Sequence, residues 1–173
     1  MIELERTFLA KEIPKDIKSF TAREIVDIYI PKKSHMDLRI RKNGEKYEMT
    51  RKHPVEDGDA SIQDEQTISL EKEEFNVLSR VDGKKSRKVR YFKDYGKYTL
   101  EFDVYQDDLL GLVLVDFEFK TEKDKDSFKM PDFCLVDVTQ EEFIAGGMLA
   151  GKSYTDLEPR LKEFGYSPLY LND

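Results

Sequence analysis

Seven stretches of this chain alternate apolar and polar residues with a period of two, the pattern of strands that bury one face. In IELERTFL, Ile2, Leu4 and Phe8 share one face, and Glu3, Glu5 and Thr7 the other. In MDLRIRK, Leu38 and Ile40 lie opposite Asp37, Arg39 and Arg41. KYEMTRK sets Tyr47 and Met49 against Glu48, Thr50 and Lys52. DEQTISL sets Gln66, Ile68 and Leu70 against Glu65, Thr67 and Ser69. SRKVRYF places Ser86, Lys88 and Arg90 on one side. KYTLEFDVY sets Tyr98, Leu100, Phe102 and Val104 against Thr99, Glu101, Asp103 and Tyr105. GLVLVDFEFK sets Val113, Val115, Phe117 and Phe119 against Leu114, Asp116, Glu118 and Lys120. An Asn43-Gly44 pair between the second and third stretches signals a tight hairpin. The chain is thereby restricted to mostly antiparallel strands with short helices, an α+β or barrel architecture.

The helical signals are few. PKDIKSFTAREIVD has helical character near its start, at Pro14. SLEKEEFNVLSRV fits a helix capped by Ser69, with Phe75 and Leu78 on one face. VTQEEFIAGGMLAG carries Thr139 and Glu142 at capping-box spacing. TDLEPRLKEFG predicts a C-terminal helix with Pro159 near its start and Gly165 at its end. The polar segment 53–64 reads as a loop. The 173 residues suit one domain spanning 1–173, with a C-terminal helical extension at about 153–173.

The polar strand faces are unusual in kind. Glu-x-Glu, Arg-x-Arg, Lys-x-Arg and Asp-x-Glu occupy separate strands, whereas a solvated face ordinarily mixes signs. Two readings follow from the pattern: an ordinary solvated sheet, or an ordered polar interior whose acidic and basic strands serve different ligands. With 36 acids against 29 bases, the net charge of −7 disfavours nucleic acid as the partner. The lone Cys134 sits among apolar residues as a buried structural thiol, with no partner for an internal disulfide. That usage, the absence of a signal pattern in MIELER and the lack of any apolar run near 18 residues predict a cytoplasmic protein without membrane contact. His35 and His53 fall in polar segments without zinc-site spacing and are expected at the surface.

The strand motifs resemble those of the CYTH domain of the triphosphate tunnel metalloenzyme superfamily. IELERTFL is similar to that family's E-x-E-x-K strand. LRIR (38–41), MTRK (49–52), KVRYF (88–92), FDVY (102–105), GLVLVDFEF (111–119) and DVT (137–139) resemble further motifs in the family's order, over roughly residues 1–155. The resemblance implies a closed antiparallel barrel of eight strands, a tunnel, with short helices packed outside. It implies a triphosphate and one or two divalent metals in the lumen.

Within that resemblance, Arg39, Arg41, Lys52, Lys88 and Arg90 are expected to bind the triphosphate, because planar guanidinium forks and point charges suit phosphate oxygens. Glu3, Glu5 and Glu118, with Asp103 and Asp116, are expected to hold Mg²⁺ or Mn²⁺ through hard carboxylate oxygens. Glu65, Asp116 and Lys88 are the expected catalytic groups, and Glu101 is a further lumen carboxylate. The activity implied is metal-dependent hydrolysis of inorganic triphosphate, with thiamine triphosphatase and class IV adenylyl cyclase as alternatives. A polyphosphate- or nucleotide-binding module is the non-enzymatic alternative. The partner is a small polyphosphate or nucleoside triphosphate, and a homodimer is compatible with the reading. Three positions depart from the family pattern. Thr7 stands where Lys is expected, so that either one phosphate contact is missing or Lys120 supplies it. Asp116 stands in place of Glu, and Asp27-Ile28-Tyr29 in place of Gln-x-Tyr.

GGMLAGKS (146–153) also matches a phosphate-binding loop. Such a loop needs a strand feeding a Gly-rich turn and a helix following it. Here a helix is expected before the glycines, which leaves Gly146 and Gly147 for close packing, Gly151 for a helix stop, and Lys152 for solvent or the helix's last carbonyls.

Overall fold

The protein's structure, a computed structural model, describes residues 1–32, 37–55 and 58–171. Nine strands run in chain order: β1 (Ile2–Ala10), β2 (Thr21–Tyr29), β3 (Leu38–Asn43), β4 (Lys46–Pro54), β5 (Ile62–Leu70), β6 (Lys84–Tyr95), β7 (Tyr98–Tyr105), β8 (Val113–Phe119) and β9 (Cys134–Asp137). The helices are α1 (Lys72–Leu78), α2 (Glu122–Ser127), α3 (Gly146–Leu149) and α4 (Tyr154–Glu163). Every pairing is antiparallel, in the order β5-β4-β3-β2-β6-β7-β8-β1. The ring closes where Ile2–Leu4 pair with Ile62–Asp64. Further along the same edge of β1, Phe8–Ala10 pair with β9. The result is a closed eight-stranded barrel with one added strand and four short helices outside.

Two hydrophobic clusters lie outside the barrel. Phe8, Phe102, Val115 and Phe117 turn outward from β1, β7 and β8 and pack beneath Phe128, Phe133 and Ile17. The Phe117 and Phe128 rings are centred 4.5 Å apart. Ile28 and Ile40 are covered by Phe75 of α1, with Leu78 against the same cluster. Because these strands bury their apolar faces outward, their charged faces must turn inward, and the barrel keeps a polar lumen.

Local expectations are met unevenly. The β3–β4 hairpin forms, but Asn43 pairs with Lys46, so its two loop residues are Gly44, at φ +60°, and Glu45. Only Ile17–Ser19 is helical in the Pro14 segment, and the rest is β2. Ser69 is no helix cap. It belongs to β5, and α1 is capped by Glu71 in a capping box with Glu74, each carboxylate accepting from the other residue's backbone amide. The capping box expected at Thr139 and Glu142 is absent, because the Thr139 hydroxyl bonds Asp137 and accepts from the Thr7 amide. Helical structure there is split between a 3₁₀ turn, Glu142–Ile144, and the four residues of α3. α4 starts at Tyr154, so Pro159 falls inside the helix rather than near its start, and Gly165 lies beyond it at φ +72°. The loop after β4 is shorter than the polar segment suggested, since His53 and Pro54 belong to β4 and Ile62–Asp64 to β5. His53 is half-buried; His35 lies outside the described residues. Cys134 is buried, and burial raises its thiol to about 12. No helix among the described residues is long and apolar enough to cross a membrane.

Candidate active site

Strand parity brings every candidate residue to the lumen, on seven of the eight strands. On the β2–β3 ladder, Arg41 faces Asp27 directly. Its Nε and Nη2 donate to the two carboxylate oxygens at 2.6 and 2.9 Å, a bidentate pair buried on both sides. Burial alone would raise the Asp27 carboxyl, but the Arg41 charge and hydrogen bonds hold it well below the usual carboxylate range.

Arg90 is the hub of the next wall. It faces Asp103 across β6–β7 and bonds it bidentately at 2.6 and 2.7 Å. Its Nη1 pairs with Glu101, and its Nη2 lies 3.5 Å from Asp116. Lys88 Nζ donates to the same Asp103, which is 1 % exposed. The Arg90 and Lys88 charges outweigh burial and lower the Asp103 carboxyl. Burial and the neighbouring Arg90 lower the Lys88 ammonium. The remaining carboxylates share an already committed guanidinium. Burial, opposed by Arg90 and reinforced by Asp103 and Glu118, pushes Glu101 up to about 7. Burial and the Asp103 charge push Asp116 up to about 7 against the opposition of Arg90.

The wall formed by β1, β4 and β5 is wetter. Lys52 Nζ bridges Glu3 at 2.5 Å and Glu5 at 2.7 Å. Burial lowers the Lys52 ammonium, but Glu5 and Glu3 more than offset it and the net shift is upward. Arg39 lies 3.9 Å from Glu65 and 3.4 Å from the Tyr29 hydroxyl, and among the described residues its buried Nε has no hydrogen-bond partner. Glu65 accepts from the Thr67 hydroxyl at 2.9 Å. Glu118 faces Glu5 across β1–β8. Burial and the Glu3 and Glu5 charges raise its carboxyl, with Arg90 opposing.

Two of the departures from the family pattern prove to be one feature. Thr7 and Asp116 are directly opposite on the β1–β8 ladder, and the Thr7 hydroxyl donates to Asp116 Oδ1 at 2.7 Å. A shorter carboxylate and a hydroxyl meet where a longer carboxylate and an ammonium would. Lys120 is exposed beyond the end of β8 and does not stand in for the missing cation. Asp27, the partner of Arg41, was visible in the sequence only as a departure from Gln-x-Tyr. Its parity with Tyr29 on β2 was the signal that it faces inward.

The donor set fits a hard divalent ion in kind. The named lumen groups are five cations (Arg39, Arg41, Lys52, Lys88, Arg90) and eight carboxyls (Glu3, Glu5, Asp27, Glu65, Glu101, Asp103, Asp116, Glu118). Among the described residues no three His, Cys, Asp or Glu side chains converge as they stand, because Lys52 occupies the place between Glu3 and Glu5.

A CYTH domain model matches residues 1–129. The chain belongs to the CYTH family, whose members include the triphosphate tunnel proteins. Among solved structures, the inorganic triphosphatase NE1496 is similar at 25 % identity and a TM-score of 0.63, covering 87 % of this chain and 95 % of its own. A second structure of NE1496, described as a hypothetical protein, aligns at 26 % identity and the same TM-score over 87 % and 98 % of the two chains. A conserved hypothetical protein from Pyrococcus furiosus shares the fold at 23 % identity and a TM-score of 0.52, over 72 % and 84 %. No curated protein matches the chain.

Proposed function

We propose that this protein is a divalent-metal-dependent triphosphatase that hydrolyses inorganic triphosphate in the barrel lumen. The observation that carries the reading is the convergence of five cations from β3, β4 and β6 with carboxylates from β1, β7 and β8 inside one closed barrel. The 95 % coverage of a triphosphatase of the same fold supports it. Arg39, with its unpartnered Nε, is the residue readiest to accept phosphate oxygens; Lys52, Lys88 and Arg90 add charge around it. Arg41 acts at one remove, since Asp27 already takes two of its donors.

Glu3, Glu5 and Glu118 would hold Mg²⁺ or Mn²⁺, with Asp103 and Asp116 behind them. The bound ion supplies neutralisation of the phosphoryl oxygens. Glu65 and Asp116 orient the attacking water, and Thr7 fixes the Asp116 carboxyl in place. Lys88 stabilises charge on the departing phosphate. Positioning and electrostatics account for most of the acceleration. The products are orthophosphate and pyrophosphate.

The test is a panel of inorganic triphosphate, ATP, thiamine triphosphate and longer polyphosphate, each with Mg²⁺, Mn²⁺ or EDTA. Fastest orthophosphate release from triphosphate, abolished by EDTA, is expected. Cyclic AMP with pyrophosphate from ATP would identify a cyclase instead. Tight triphosphate binding without turnover under either metal would identify a binding module.

A further inference from the structure

The inward-facing residues change character along the barrel. On β1 the run Glu3, Glu5, Thr7 ends in Leu9. On β8, Glu118 and Asp116 give way to Leu114, and on β7, Glu101 and Asp103 give way to Tyr105. The changes coincide in space, because Leu114 pairs with Leu9 on one side and with Asp103 on the other. Leu9, Leu114 and Tyr105 are buried in one cluster with Ile144, Leu149, Leu157 and Leu161. The C-terminal segment therefore lies across this end of the lumen.

The opposite wall is sealed by the same segment. Tyr29 ends β2, and its hydroxyl lies so close to Gly146 that a Cβ there would stand 2.1 Å from it. The Lys84 ammonium donates to the Gly147 carbonyl, and the Gly151 amide donates to the Lys85 carbonyl at 2.9 Å. Exposure follows the same gradient: Glu65 and Glu3 are 27 % and 26 % exposed, Asp103 1 %. A phosphate chain threaded through the closed end would have to displace the packed Leu9, Leu114, Ile144 and Leu149 cluster, whose aliphatic side chains cannot solvate its charge.

We propose that the lumen is blind, so that a phosphate chain enters only end-on, free terminus first, from the side of Glu3 and Glu65. This rests on the triphosphate reading and narrows it to a chain-end specificity. A long linear polyphosphate is then held only by its two termini. An open tunnel or groove would instead seat protein all along the chain.

Sedimentation velocity of the full chain with linear polyphosphates of several defined lengths tests this, with Ca²⁺ in place of Mg²⁺ to slow cleavage. The expected result is a limit of two proteins per chain at every length, with both displaced by inorganic triphosphate. A stoichiometry that climbs with chain length overturns the blind lumen while leaving triphosphate binding intact. Binding of triphosphate with no binding to polyphosphate termini overturns it as well. Failure of triphosphate itself to bind removes the proposed function, and the end-on reading falls with it.

Discussion

The two walls of the lumen carry the same kinds of side chain in different states. On the wall of β2, β6 and β7, Asp27 and Asp103 are locked bidentately to Arg41 of the adjoining β3 and to Arg90, and the two carboxylates are almost fully buried. On the wall of β1, β4 and β5, Lys52, Glu3, Glu5 and Glu65 are partly solvated, and beside it Arg39 of β3 makes, among the described residues, side-chain contacts at 3.4 and 3.9 Å. A buried pair is costly to break because the survivor is left as an uncompensated charge, whereas a wet pair exchanges partners cheaply. The dry wall therefore fixes geometry and field, and the wet wall does the exchanging when a ligand or metal arrives.

The comparison can be broken first on the dry wall. Asp103→Ala strands both Arg90 and Lys88 and is expected to cost about 3–5 kcal/mol in urea unfolding; a loss near zero would show that this wall is not structural. Gly146→Ala, at the sealed end, drives a methyl into the Tyr29 hydroxyl and is expected to cost about 1–3 kcal/mol. Tyr29→Phe in the same chain should recover part of that loss.

On the wet wall the effect should move from stability to binding. Arg39→Ala is expected to change unfolding free energy by less than about 1 kcal/mol, since its ion pair is long and partly solvated. Calorimetry should show triphosphate affinity falling about 10- to 100-fold, the worth of a lost charge-assisted hydrogen bond. Equal losses in both measurements would erase the distinction between the walls.

The smallest effect is the pH dependence. Asp116 is raised from its ordinary 3.8 to about 7, and Glu101 from 4.5 to about 7. The folded state then binds more protons than the unfolded chain between those values, so stability is fullest at the acid end of that window and declines as pH rises through about 7. Asp27 and Asp103, held low, act in the opposite sense only at more acid pH. Urea midpoints should fall between pH 5 and pH 8, and Asp116→Asn should flatten the slope.

The barrel was legible because period-two alternation fixes which side chains share a face, and every named lumen residue follows that parity. Same-sign pairs such as Arg39 and Arg41 could not be assigned to solvent or interior from their own strand. That depends on ring closure between Ile2–Leu4 and Ile62–Asp64, a contact far apart in sequence. Cross-strand partners were illegible for the same reason. Thr7 and Asp116 looked like two independent departures until register set them opposite each other. The helix limits failed at Ser69 and Thr139, where strand pairing and a side-chain bond to Asp137 overrode local capping signals. In GGMLAGKS, Gly146 packs closely, as expected, against the Tyr29 hydroxyl, but α3 begins at the glycines rather than before them, and the contact with β2 was beyond any local pattern.

The central claim, that this lumen hydrolyses triphosphate with a divalent metal, is tested most directly by orthophosphate release from inorganic triphosphate by the wild-type protein and a folded Arg39→Ala variant. Mg²⁺- or Mn²⁺-dependent release by the wild type, lost with EDTA and strongly reduced in the variant, is the predicted result. Release that persists in EDTA, or that Arg39→Ala leaves unchanged, would contradict it.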